Sequence, residues 1–142
     1  MRQWSTLAGV AILLTILSCG SALAAYEHLI LMRDETFEGI KSFTFVIDFA
    51  GRSIDLGIYC RFAEYKGNTM EKGQLVDGYI EFDGKRVLTD KRSSALITTV
   101  GASPGKHTVR VGVTSPTGPV WVGWLRIRND TENASVGLRE LK

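Results

Sequence analysis

The sequence predicts an all-β fold, an antiparallel β-sandwich of jelly-roll or immunoglobulin-like type with about seven or eight strands, preceded by one N-terminal apolar helix. Three observations predict it. From Glu27 onward apolar and polar residues alternate with period two, Gly- and Asp-containing turn signals recur at short intervals, and no stretch sustains a helical period.

Composition sets the outer bounds. A chain of 142 residues suits one domain, and a 44% hydrophobic share with a net charge of +2 excludes a disordered, fibrous or multi-span membrane protein. So small a charge gives no electrostatic basis for nucleic-acid binding. The apolar residues are unevenly placed and divide the chain into a leader, residues 1–26, and an outer domain, residues 27–142. Arg2 is the leader's only charged residue, so 16 of the 17 basic residues stand against all 15 acidic ones in the outer domain, a balance of +1.

The leader runs from Arg2 through an apolar stretch containing Leu7, Ile12, Leu13, Leu14, Ile16 and Leu17 to the small residues around Ala22-Leu23-Ala24. One positive charge, an apolar core and an Ala-Leu-Ala pattern describe a secretory signal peptide. A retained transmembrane anchor fits the same residues. From Trp4 to Tyr26 a helix would span roughly 33 Å at about 1.5 Å per residue, close to the bilayer's apolar thickness of about 30 Å, with Trp and Tyr at the two interfaces. In either case Arg2 stays on the cytoplasmic side. The outer domain is therefore expected in the periplasm, anchored to the inner membrane through residues 4–26, or secreted if the leader is cleaved. Lipidation at Cys19 is disfavoured because Leu17 occupies the position that usually carries a small residue. With Cys19 in the leader, Cys60 is the outer domain's single cysteine, and no internal disulfide can form there.

In the outer domain Phe43, Phe45, Ile47 and Phe49 share one strand face, and Ile54, Leu56, Ile58, Cys60 and Phe62 share another. The intervening Ala50-Gly-Arg-Ser53 reads as the turn of a hairpin, and Cys60 as a small buried apolar residue. Tyr79–Phe82 and Lys85–Thr89 flank Asp83-Gly84, the dipeptide of a tight type I′ hairpin. Ala95–Val100 is the next strand, closed by Gly101–Gly105. His107–Val113 and Val120–Arg128 are expected as a final hairpin closed around Thr117. Its register puts His107, Val109, Val111, Val113, Trp121, Gly123, Leu125 and Ile127 on the core face. It leaves Val122, Trp124, Arg126 and Arg128 outward, with Arg110 opposite Trp124 as a cation–π pair. A one-residue slip would exchange the two faces.

Catalytic chemistry finds little support. His28 and His107 are far apart and lack partners at metal-ligand spacing, and a buried Cys60 without a nearby His is no nucleophile. Asp77 and Asp83 sit beside Gly in turns, where Asp serves conformation, and no EF-hand or phosphate-binding loop is present. Asn129-Asp-Thr131 and Asn133-Ala-Ser135 are formal glycosylation sequons, a pattern common by chance. Lys85-Arg86 and Lys91-Arg92 read as solvated loop charges. No catalytic residue, metal or cofactor is expected.

Tyr79-Ile-Glu-Phe-Asp-Gly-Lys-Arg-Val87 followed by Pro104-Gly-Lys-His-Thr-Val-Arg-Val111 resembles the strand, DGK turn and PGxHxVxV strand of PEGA domains and of several carbohydrate-binding β-sandwiches. The resemblance covers about a quarter of the chain and implies an extracytoplasmic, non-catalytic β module. Two functions follow as expectations. The first is a membrane-anchored accessory subunit of a larger membrane or envelope complex, such as a respiratory, photosynthetic or secretion assembly, with other protein subunits as partners. The alternative is a secreted module that binds polysaccharide. In both, the interaction face is Val122, Trp124, Arg126 and Arg128 with Arg110, provided that the segment Leu138–Leu141 does not cover Trp124.

Overall fold

Period-two alternation resolves into ten strands in the computed structural model, which describes residues 26–142 apart from 67–68, 73–74, 116–117 and 133–134. The leader residues Trp4, Leu7, Ile12, Leu13, Leu14, Ile16 and Leu17 lie outside the described residues. One sheet runs β1 (His28–Phe37), β9 (Val120–Asn129), β3 (Ile54–Lys66). Beyond β3, its first part pairs with β7 (Ala95–Ala102) and its last residues with β4 (Thr69–Lys72). The other sheet runs β10 (Arg139–Leu141), β2 (Ile40–Phe49), β8 (Gly105–Thr114), β5 (Val76–Phe82), β6 (Lys85–Ser93). All pairings are antiparallel. Apart from the short β4 and β10, early and late strands alternate across each sheet, the nested order of a jelly roll.

The two long hairpins expected from the sequence are not hairpins. Ala50–Ser53 carries the chain from β2 in one sheet to β3 in the other, and the loop after β8 does the same on the way to β9. Alternation dictates which face of a strand is buried. An arch between sheets and a hairpin within one sheet bury the same faces, so alternation does not dictate the partner. The Asp83-Gly84 turn is a hairpin as expected. Asp83 and Gly84 have φ of 51° and 79°, the left-handed pair of a type I′ turn, and Phe82 pairs with Lys85 across it.

Between the sheets lies one apolar core in which Ile47, Leu56, Ile58, Phe62, Ile80, Leu96, Leu125 and Ile127 are fully buried. Cys60 is 2% exposed, and burial pushes its thiol up to about 12. The β8 residues Val109, Val111 and Val113 face inward as expected. On β9 the expected face holds for Leu125 and Ile127 and fails for Trp121 and Val122. Arg61 pairs with Trp124 but Phe62 with Val122, so Gly123 is an extra residue on β9, a β-bulge. The bulge reverses the side-chain parity. Val120 and Val122 point inward before it, Leu125 and Ile127 after it, and Val122 is 1% exposed. Trp121 lies on the outer face over Gly123, where a Cβ would come within 2.8 Å of its ring.

The two ends of the domain are tied by one carboxylate. Glu27 accepts the backbone N–H groups of Val136 and Leu138, both at 2.8 Å, and holds the approach to β10. The motif of the family resemblance also has a physical meaning. β8 lies beside β5, and the Asp83 carboxylate accepts the Thr108 N–H at 2.9 Å while its other oxygen sits 2.6 Å from His107 Nδ1. His107 Nε2 donates to the Ser103 carbonyl at 2.6 Å, and the ring is stacked between Phe49 and Phe82. Both ring nitrogens therefore face acceptors, which suits the imidazolium form. Burial opposes that charge, but the hydrogen bonds to Asp83 and Ser103 and the charges of Asp83 and Asp48 outweigh it, and the pKa is raised.

A raised folded-state pKa stabilises the fold fully below the ordinary His value of 6.5, and that contribution is lost as pH rises through the folded value. Denaturant titration of the wild type should therefore show stability falling as pH rises above neutrality. His107→Gln should cost about 1.5–3 kcal/mol at pH 6, with a flatter pH profile, through loss of charge-assisted hydrogen bonds.

Candidate functional site

The outer face of the β1-β9-β3-β7 sheet is built by side chains whose neighbours in sequence point into the core. Leu125 and Ile127 face inward, so Trp124, Arg126 and Arg128 face outward. Antiparallel register then sets rows across the sheet. Ile30, Arg126, Tyr59 and Ile97 form one row, and His28, Arg128, Gly57 and Thr99 the next. Arg33, Trp124, Arg61 and Ala95 form the row on the other side of Arg126.

Rings and guanidinium groups alternate along this face. The Arg128 guanidinium carbon lies 5.1 Å from the Tyr26 ring centroid and 5.0 Å from that of Tyr59. Arg126 lies 5.4 Å from Tyr59 and 4.7 Å from Trp124. Each contact is a cation–π geometry, stronger where the rings exclude water. The Tyr59 ring lies low because residue 57 is glycine: a Cβ there would come within 2.5 Å of the ring and 2.4 Å of Asp130 Oδ2. Tyr59 donates its hydroxyl hydrogen to Asp130 Oδ2 at 2.7 Å and accepts from Arg128 Nη2 at 2.9 Å, while Arg128 Nε donates to Asp130 Oδ1. Burial first, then the Asp130 hydrogen bond, raise the Tyr59 pKa. The Asp130 hydrogen bond raises that of Arg128. Arg126 Nε is buried with no hydrogen-bond partner.

The expected interaction residues separate into three places. Trp124, Arg126 and Arg128 share this outer face. Val122 belongs to the core. Arg110 lies on β8 in the opposite sheet, in register with Thr44 and Glu81, so the Arg110–Trp124 pair does not form. The segment Leu138–Leu141 leads into and forms β10 at the edge of that opposite sheet, beside β2 rather than over Trp124. Tyr26 is exposed and meets Arg128. Tyr59, Arg33 and Arg61 were not expected here. Tyr59 and Arg61 stood on the outward face of their strand in the sequence pattern, but a wrong strand partner separated them from Trp124.

The remaining polar residues hold structure. Asp77 accepts the Arg92 N–H at 2.9 Å, as a turn carboxylate would. Arg86, expected as a solvated loop charge, lies 3.8 Å above the Tyr79 ring and pairs with Glu81 at 3.2 Å. Asn129 is 1% exposed and its Oδ1 accepts the Thr131 N–H, so the first sequon is closed to glycosylation; Asn133 of the second lies outside the described residues. Among the described residues no cluster of His, Cys, Asp and Glu has the arrangement of a metal site. A shallow groove of about 330 Å³ crosses the opposite sheet, lined by Ser42, Asp77, Tyr79, Thr89 and Arg110 among others.

Replacing Asp130 by Asn should bring the Tyr59 phenol down toward its ordinary value, because the Asp130 charge and its charge-assisted hydrogen bond are removed while burial stays. Ultraviolet titration of phenolate absorbance, compared with a Tyr59→Phe control, checks this.

No protein-family model and no curated protein matches the chain. Among solved structures it is similar to a family 35 carbohydrate binding module from an environmental isolate, at 10% identity and a TM-score of 0.49, over 83% of this chain and 82% of that one. It is also similar to part of a family two carbohydrate esterase from Clostridium thermocellum, at 9% identity and a TM-score of 0.41. A third similarity is to the structure of infectious bursal disease virus Gx strain, at 15% identity and a TM-score of 0.37. Each of these two alignments covers 82% of this chain and about a third of the other.

Proposed function

We propose that the chain is a non-catalytic, extracytoplasmic binding module that grips an extended polysaccharide on the outer face of its β1-β9-β3-β7 sheet. The observation that carries the reading is the alternating array Tyr26, Arg128, Tyr59, Arg126, Trp124. Rings of this kind offer stacking area at little entropic cost, and the intercalated guanidinium groups hold them in position. A non-catalytic role is supported by the state of the obvious nucleophile and base: Cys60 is buried with a raised pKa, and both nitrogens of His107 are engaged. The extracytoplasmic location rests on the leader, which exports the domain whether it is kept as an anchor or removed.

A second reading, an accessory subunit of a membrane or envelope complex, draws on Ile30 and Ile97. These side chains are 36% and 54% exposed at the two ends of the Arg126–Tyr59 row, an apolar rim that suits a protein partner.

Retention on insoluble polysaccharides and affinity electrophoresis test the first reading. Trp124→Ala and Tyr59→Ala should each weaken binding about tenfold or more, the usual effect of losing a central aromatic anchor. Tyr79→Ala on the opposite sheet should leave binding unchanged. If neither ring on the outer face matters, the reading is wrong. Purification of the full-length protein from membranes tests the second. It requires a stoichiometric partner that is lost with Ile97→Asp, and a solitary monomer excludes it.

A further inference from the structure

We infer that the polymer bound on this face is acidic, and that Arg126, Arg128 and Arg61 receive its oxyanion groups. The inference rests on the polysaccharide reading and names the ligand's chemical class. It was hidden in the composition, where the charges nearly cancel. The fold gathers Arg33, Arg61 and Arg126 around Trp124.

On the opposite sheet three arginines lie beside carboxylates: Arg86 and Arg110 lie beside Glu81 at 3.2 and 3.8 Å, and Arg139 lies 2.6 Å from Asp48. On the β1-β9-β3-β7 sheet stand four arginines, Arg33, Arg61, Arg126 and Arg128, and the carboxylate of Asp130 engages one of them. Arg128 takes it. Among the described residues no ion pair engages Arg33, Arg61 or Arg126.

Stacking decides what such a cation can bind. A guanidinium lying against rings has its flat faces desolvated, and its remaining N–H groups point outward in its own plane, the geometry that a carboxylate or sulfate accepts in bidentate fashion. Arg126 is held between Tyr59 and Trp124 and has a buried, unpartnered Nε, so it retains no competing ligand. Its side chain is already ordered, and little rotamer freedom is lost when an anion arrives. Arg126 and Arg128 are two residues apart on one strand face, about 6.6–6.8 Å along it. Arg61 flanks Trp124 from the neighbouring strand. Several fixed cations in line beside a stacking ring fit a polymer whose charge repeats along the chain. A single anionic small molecule would use only one of them.

The test is calorimetric titration of the full chain with polygalacturonate, with the same polymer after carboxyl reduction, with heparin as a sulfated glycan, and with a single-stranded oligonucleotide. An acidic glycan should bind at least tenfold more tightly than the carboxyl-reduced polymer, and its affinity should fall as salt is raised. Preference for polygalacturonate assigns the oxyanion as carboxylate, and preference for heparin assigns it as sulfate. Arg126→Gln should lower acidic-glycan affinity at least tenfold more than it lowers affinity for the reduced polymer. Arg126→Lys should not restore it, because an ammonium keeps the charge and loses the planar fork. Circular dichroism confirms that both variants are folded. Equal binding of the acidic and reduced polymers, with Trp124→Ala abolishing both, overturns the inference and leaves the polysaccharide reading standing. Failure to bind any glycan overturns both, and oligonucleotide binding as tight as the acidic glycan's overturns the inference in favour of general polyanion attraction.

Discussion

Everything on the outer face depends on one extra residue in β9. The strand must bury Val120 and Val122 at its start and Leu125 and Ile127 at its end, and these pairs have opposite parity. A regular strand cannot satisfy both, since side chains alternate strictly. The bulge at Gly123 absorbs the mismatch between Val122 and Trp124 in the pairing with β3. Trp121 and Trp124 then both point outward, and Arg126 and Arg128 follow Trp124. The residue at the bulge is glycine because the Trp121 ring lies across it.

Glycine acts in the same way at position 57. Removing a side chain there lets the Tyr59 ring settle onto the sheet and lets Asp130 reach both Tyr59 and Arg128. The Asp130 carboxylate thus orders Arg128 and Tyr59 together, and Tyr59 in turn supports Arg126. What results is an array of cations and rings fixed by contacts with one another. The two sheets are chemically unlike for this reason. One face pairs Arg86, Arg110 and Arg139 with Glu81 and Asp48, while the other stacks Arg126 and Arg128 on aromatic rings and, among the described residues, leaves Arg126 without an ion partner.

Much of this was legible in the residues. Alternation marked the buried faces of β2, β3 and β8, and Asp83-Gly84 marked the hairpin between β5 and β6. Strand partners were not legible, because an arch and a hairpin bury the same faces. That single ambiguity paired Arg110 with Trp124 across what proves to be two sheets, and it hid Tyr59 from the site. β1 escaped notice because its side chains are mostly exposed or half-buried and carry no clean alternation. The bulge did leave a trace: apolar parity changes from even to odd across an isolated glycine, the pattern that such an irregularity imposes.

The central claim is that ligand recognition belongs to the face created by the Gly123 bulge. Nuclear magnetic resonance titration of the isotope-labelled protein with a soluble acidic oligosaccharide tests it directly, by following the Trp indole and Arg Nε–H signals together with the backbone amides. The account requires the Trp124 indole, the Arg126 Nε–H and the amides of β9 and β3 to shift together in one saturable process. Shifts confined to the groove around Tyr79 and Arg110 on the opposite sheet would contradict it.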